Sequence, residues 1–245
     1  MWSNIEDTPH YGQALGLGSQ CRVRLVGRFV SMNFLLRRVI CGDELRKTRL
    51  HNYQGERLDL AGLRFLPACM CSKLWFMLTG RRPTVPWLGY RATLKIGSLL
   101  NPESTVLEFG SGMSTLWFAR RCRRLVSIET DRVWHAEVIK RLARAGLRNV
   151  DCHLMSLDSC WEVADPDESF DFALVDGFHR DVVVSVAIRK VRPGGFVYLD
   201  NCDVPDAEHS SARSILLVAA KSTPEYFTDF CPCLPAVTQG MLVRI

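Results

Sequence analysis

The residues best equipped for chemistry stand at the ends of short apolar runs. Glu108-Phe109-Gly110-Ser111-Gly112 continues Thr105-Val106-Leu107, with Ser114 opening the stretch that follows, and Glu129 closes Leu125-Val126-Ser127-Ile128. Glycine just after a buried strand lets the backbone turn tightly and approach a ligand without a Cβ in the way. The N–H groups that begin the next helix then point at that ligand. An acid closing the second strand, 17 residues beyond Gly112, is placed to accept both hydroxyls of a ribose. Later runs end in Asp176 and in Asp200-Asn201, hard oxygens of the kind that hold Mg²⁺. The ligand at the glycine turn is therefore expected to contain adenosine. A dinucleotide loop needs glycine where Thr115 stands, and an acid two residues before the first glycine has nothing to offer an anionic pyrophosphate. A sulfonium ligand with a free amino group suits Glu108. The competing reading is that Glu108 caps its own loop.

These residues must be held by strands that alternate with helices. Strands are expected at Thr105–Phe109, Leu125–Ile128, Val150–Leu154, Phe170–Val175 and Phe196–Leu199, with two more near Tyr226–Phe230 and Gln239–Ile245. Helices fall at Tyr90–Leu100, Ser114–Arg121, from Thr130-Asp131 to about Ala145, at Asp181–Val191 and at Ala207–Lys221, with Gly146 ending the third. Arg192-Pro193-Gly194-Gly195 reads as a turn. Such alternation gives a parallel sheet covered on both faces, which binds ligands at the carboxyl ends of its strands. Arg120 to Arg124 falls where a helix ends, and cations there complement the helix dipole.

Composition sets the frame. The 245 residues are 47% hydrophobic and 23% charged, which excludes a disordered chain and suffices for one α/β domain behind an extension. No apolar run reaches the roughly 18–20 residues of a membrane span. The opening MWSNIEDTPH has no basic stretch, so a secretory signal is not expected. The ten cysteines lack metal or disulfide spacing and read as free thiols in a reducing cytoplasm. Charge divides near residue 100: the first hundred residues carry 15 Lys and Arg against 6 Asp and Glu, the remainder 16 against 20. Such a basic front suits an anionic acceptor, nucleic acid or a membrane surface, or is simply a solvated face. Residues 1–20 are polar and Gly-rich, and 41–60 are charged without pattern. Residues 22–40 repeat with helical period among arginines. That segment can lie on a membrane surface, dock on the domain or cover an acceptor site.

Val106-Leu107-Glu108-Phe109-Gly110-Ser111-Gly112 resembles motif I of the class I S-adenosylmethionine-dependent methyltransferases. Ser114-Thr115-Leu116-Trp117-Phe118-Ala119, Ser127-Ile128-Glu129, Asp176-Gly177-Phe178-His179 and Arg192-Pro193-Gly194-Gly195 resemble its methyltransferase-24-like branch. The likeness spans residues 84–245, with Met113-Ser114 where a third glycine is usual. Residues 1–83 form a basic, partly helical extension outside it. The resemblance implies a Rossmann-like, doubly wound α/β fold of seven strands, the last antiparallel, with a mainly helical N-terminal extension. It implies S-adenosylmethionine as cofactor. Glu108 or the Gly110–Gly112 backbone, with Ser111 and Ser114, would face the methionine part, and Glu129 the ribose. Asp158 would receive the adenine amine or cap a helix at Ser159-Cys160-Trp161, and Asp176 would border cofactor and acceptor alike. Trp87 and Tyr90 would line the acceptor site or pack in the core.

Asp176, Asp200 and Asn201 also resemble the metal triad of catechol- and caffeoyl-CoA-type O-methyltransferases, with His179 in place of their lysine base. The resemblance implies Mg²⁺ on those three residues, lowering the pKa of an acceptor hydroxyl whose proton His179 removes. The other reading has the acids orienting loops and His179 working unaided or binding substrate. The expected reaction is O-methylation of a small hydroxylated acceptor such as a sugar, glycolipid or phenol. Methylation of RNA or protein and a non-catalytic binding module are the alternatives. Asp176-Gly177-Phe178-His179 lacks the Pro-Pro-aromatic pattern of base-amine methylation, which argues against nucleic acid.

Overall fold

The computed structural model describes residues 46–156 and 163–245. The expected helix over residues 22–40, the polar start, and Asp158 with its neighbouring cap lie outside the described residues. Seven strands, β1 (Thr105–Phe109), β2 (Arg124–Glu129), β3 (Val150–Leu154), β4 (Phe170–Val175), β5 (Val191–Leu199), β6 (Glu225–Cys231) and β7 (Leu234–Arg244), form one sheet in the order 3-2-1-4-5-7-6. β7 runs antiparallel to both of its neighbours, β5 and β6, as the resemblance implies. The strand order reverses between β1 and β4, where open α/β sheets leave a crevice for ligand.

The described helices are α1 (Leu60–Leu63), α2 (Leu66–Thr79), α3 (Tyr90–Leu99), α4 (Met113–Ala119), α5 (Arg132–Arg144), α6 (Arg180–Lys190) and α7 (Ala207–Ala219). Alternate residues of a strand face opposite sides, and both sides are used. Leu107, Phe109, Val126, Ile128, Ala173 and Val175 pack against Val183, Val184 and Ala187 of α6 and against Ala212 and Leu216 of α7. On the other side Val106, Leu125, Phe172, Leu174 and Tyr198 meet Ala92 and Ile96 of α3 and Trp117 and Phe118 of α4. Burial on both faces explains why these strands read as continuous apolar runs.

Several boundaries differ from those expected: β7 begins at Leu234 rather than near Gln239, α4 ends at Ala119 rather than Arg121, and α6 ends at Lys190 rather than Val191. β5 begins at Val191, so the expected turn at Arg192–Gly195 is an irregular strand entry, with Gly194 at φ +85° and a shift of register opposite Phe170 and Phe172. Residues 46–58, without periodic pattern, clamp the β6–β7 edge through specific bonds. Val237 N donates to Arg49 O at 3.0 Å, and Asp203 accepts from Tyr53 N at 3.0 Å and Gln239 N at 3.1 Å. Leu58 and Cys69 share a core with Phe230 and Val237. Arg124 pairs with Asp151 and Asp165, and Arg121 lies over the Trp117 ring, so these two arginines of the run are tied into the fold. The cysteines among the described residues are free thiols. No helix among the described residues is long and apolar enough to cross a membrane.

Candidate functional site

The backbone ladder continues past the strand ends and aligns the chemistry-bearing residues along one edge. Gly110 N donates to Ile128 O, Asp176 N to Phe109 O and Asp200 N to Val175 O, at 2.9, 2.9 and 3.0 Å. Gly110, Asp176 and Asp200 therefore stand side by side at the carboxyl ends of β1, β4 and β5. Gly110 has φ +98°, and a Cβ there would lie 2.6 Å from Asp176 O. Glycine is thus required twice over, by conformation and by the close approach of the next loop.

Glu108 and Ser127 are register partners on β1 and β2. On the face beneath α4, Glu108 Oε2 accepts from Ser127 Oγ and Thr115 Oγ1, each at 2.6 Å. Gly112 N donates to the same Thr115 hydroxyl at 2.8 Å, so one buried carboxylate ties strand, loop and helix together. Its Oε1 is buried and makes no hydrogen bond. Burial pushes the Glu108 carboxyl up to about 7, against the pull of the Ser114, Ser127 and Thr115 hydroxyls. Glu129 is engaged differently: Oε2 accepts from Ser111 N at 3.1 Å, and Oε1 from Thr130 N at 2.8 Å and Asp131 N at 2.9 Å. Burial raises this carboxyl too, and the bonds from Asp131, Thr130 and Ser111 oppose the rise. Each carboxylate oxygen has two acceptor positions, so Oε2 of Glu129 retains capacity for a ligand hydroxyl. That capacity, the orphaned Oε1 of Glu108 and the open backbone at Gly112, where an added Cβ would meet nothing nearer than Ser114 Oγ at 3.9 Å, fit an adenosylmethionine-type ligand.

An aromatic wall flanks the glycine loop. Trp134 Nε1 donates to Ser111 O at 2.7 Å. The Arg82 guanidinium carbon lies 4.3 Å from the Trp87 ring centre and 4.9 Å from that of Trp134. Trp87 therefore stands near the loop by way of Arg82. Tyr90 turns away, stacked on Phe65 at 5.3 Å. Arg82 and Trp134 escaped the sequence reading, which had no signal for a contact between residues so far apart.

The acceptor side is built around Arg180. This side chain is 4% exposed, and its Nη2 donates to Asp176 Oδ1 at 3.0 Å and to Asn201 Oδ1 at 3.4 Å. Nη1 lies 2.5 Å from His209 Nε2, and His209 Nδ1 lies 2.8 Å from Asp206. A guanidinium only donates, so Nε2 accepts and the ring proton sits on Nδ1, facing Asp206. The Arg180 backbone N–H donates to Glu208 Oε1 at 2.9 Å. Burial raises the Asp176 carboxyl while Arg180 opposes the rise. Burial and then the Asp176 charge push Asp200 well above the ordinary carboxylate range. The expected set Asp176, Asp200 and Asn201 does not fit a divalent ion, because a guanidinium already bridges Asp176 and Asn201. Among the described residues no group of three His, Cys, Asp or Glu side chains is close enough to hold a metal. His179 is exposed and begins α6 in the left-handed region at φ 54°, and Asn201 has φ 53°. Non-glycine residues held in that region often mark a working site.

Residues 107–202 match the family described as Methyltransferase domain. The fold is similar to that of the O-methyltransferase TomG from Streptomyces achromogenes, involved in tomaymycin synthesis and solved with SAM. Identity is 23%, the TM-score is 0.51, and the match covers 77% of this chain and 91% of that one. It is similar also to an O-methyltransferase from Bacillus cereus in complex with SAH, at 19% identity and TM-score 0.53, covering 74% and 91%. A tRNA (m1A58) methyltransferase, TrmI from Aquifex aeolicus, matches at 18% identity and TM-score 0.50, covering 67% and 71%. No curated protein matches the chain in sequence.

Proposed function

We propose that this chain, an S-adenosylmethionine-dependent methyltransferase of class I, methylates a hydroxyl oxygen of a small acceptor such as a sugar, a glycolipid or a phenol. When bound, adenosylmethionine supplies an electrophilic methyl group on a sulfonium that needs no further activation. The protein's task is to align the acceptor and remove its proton. Glu129 accepts from the ribose hydroxyls through Oε2, while its other bonds hold the Ser111 loop. Glu108, Ser114 and the Gly110–Gly112 backbone border the methionine end. His179 takes the acceptor proton, and Asp176 orients the loop that carries it.

One observation carries this reading: the Gly110 turn and the Asp176–His179 loop touch, with a Cβ on Gly110 reaching within 2.6 Å of Asp176 O. The loop that carries His179 therefore leaves the sheet beside the turn proposed to seat the methyl donor, which supports His179 as the base. Residues 84–245 form the catalytic unit in this reading, and residues 1–83 the extension beside it.

The test uses methyl-¹³C-labelled adenosylmethionine with a panel of sugars, glycolipids, phenols and RNA. A new O–CH₃ resonance on a hydroxylated small molecule is expected. A label that ends on nitrogen of RNA or protein, or stays on the donor throughout, overturns the proposal.

A further inference from the structure

The carboxyl ends of β4 and β5 present oxygens that would suit a cation, and the chain fills that place itself. We infer that Arg180 is the resident cation of this site, a positioning residue that holds Asp176 and Asn201 in register and makes a divalent metal unnecessary.

Three observations carry the inference. The guanidinium reaches both Asp176 Oδ1, at 3.0 Å, and Asn201 Oδ1, at 3.4 Å, so it spans the two strands whose oxygens a metal would have to share. It is anchored from behind, through His209 Nε2 at 2.5 Å and onward to Asp206 at 2.8 Å, while its own backbone N–H is held by Glu208. Its side chain is 4% exposed. Arginine does not deprotonate in proteins, so the charge cannot vacate by titration. Swinging the side chain out would leave His209 and Asp176 short of their partners inside the protein. A divalent ion entering beside it would meet a fixed positive charge at close range.

Function follows from this arrangement. With Asp176 neutralised and fixed, the loop from Gly177 to His179 starts from a rigid point, and His179 removes the acceptor proton without metal assistance. That consequence rests on the proposed function. The exclusion of metal does not, and the experiment separates the two.

Mn²⁺ is titrated into the full-length protein and read by the electron paramagnetic resonance of the free ion, which fades on binding. Wild type is expected to leave the signal undiminished at equimolar protein, and an equimolar loss overturns the inference. Arg180→Ala is expected to bind Mn²⁺ at least tenfold more tightly than wild type, and adding Asp176→Asn is expected to cancel the gain. Equal affinity with and without the arginine also overturns it. Should the alanine variant fail to fold, Arg180→Gln, which keeps most of the volume and a donor for Asp176, serves for the same comparison. Turnover that EDTA abolishes and Mg²⁺ restores would likewise overturn it. Calorimetry with adenosylmethionine on the same wild-type sample reports on the proposed function separately: absence of binding there sinks that reading and leaves the Mn²⁺ result standing.

Discussion

Glu129 Oε2 accepts from the backbone N–H of Ser111 at 3.1 Å, so the acid that closes the second strand also holds the loop that follows the first. Ligand recognition and loop shape therefore depend on one carboxylate.

Glu129→Ala should lose charge-assisted bonds to the ribose and release Ser111, Thr130 and Asp131 together. Hydrogen bonds to charged groups are worth about 1.5–3 kcal/mol, so affinity for S-adenosylhomocysteine should fall roughly ten- to over a hundredfold. Calorimetry checks this, and unchanged affinity removes Glu129 from the site.

Glu108 couples stability to pH. Its carboxyl is pushed from 4.5 up to about 7 by burial, so between those values the folded protein holds a proton that the unfolded chain has lost. This contribution is fully present below 4.5, declines as pH rises through the window, and is gone above about 7. The shift corresponds to something on the order of 3 kcal/mol. Glu108→Gln, which stays neutral, should flatten the decline in the denaturation midpoint over that window. A wild-type curve that rises from pH 5 to 7, and is matched by the variant, would contradict the assignment.

Gly110→Ala places a methyl group 2.6 Å from Asp176 O at a φ of +98°. Backbone strain of this kind costs about 1–3 kcal/mol before any clash is counted. The variant should melt earlier and lose cofactor affinity. Wild-type values for both would mean that the two loops are not packed as described.

His179→Ala should depress turnover by about 100- to 10,000-fold, the usual worth of a general base, with cofactor affinity nearly unchanged. An equally active variant assigns the proton to another acceptor.

Much of the sheet was legible in the sequence because its determinants are local. β3 and β4 begin and end at the residues expected for them, and the glycine turn after β1 needs only a residue without Cβ. Leu107 and Phe109 on one face, Val106 and Glu108 on the other, follow from period two alone. The site was legible in part for the same reason: strand ends are positions that a pattern can mark. Residues 46–58 had no such pattern, because their bonds to Asp203 and Val237 connect segments more than 140 residues apart.

Local sequence suffices for the centres of the strands, the glycine turn and the acids at the strand ends, since burial and backbone sterics act within a few residues. The tertiary structure alone decided what those acids face. Asp176 meets a guanidinium from the helix that follows its loop, and that guanidinium is aimed by His209, 29 residues further on. Such a choice between arginine and metal depends on which side chains the packing of α6 against α7 brings together, and no periodicity encodes it.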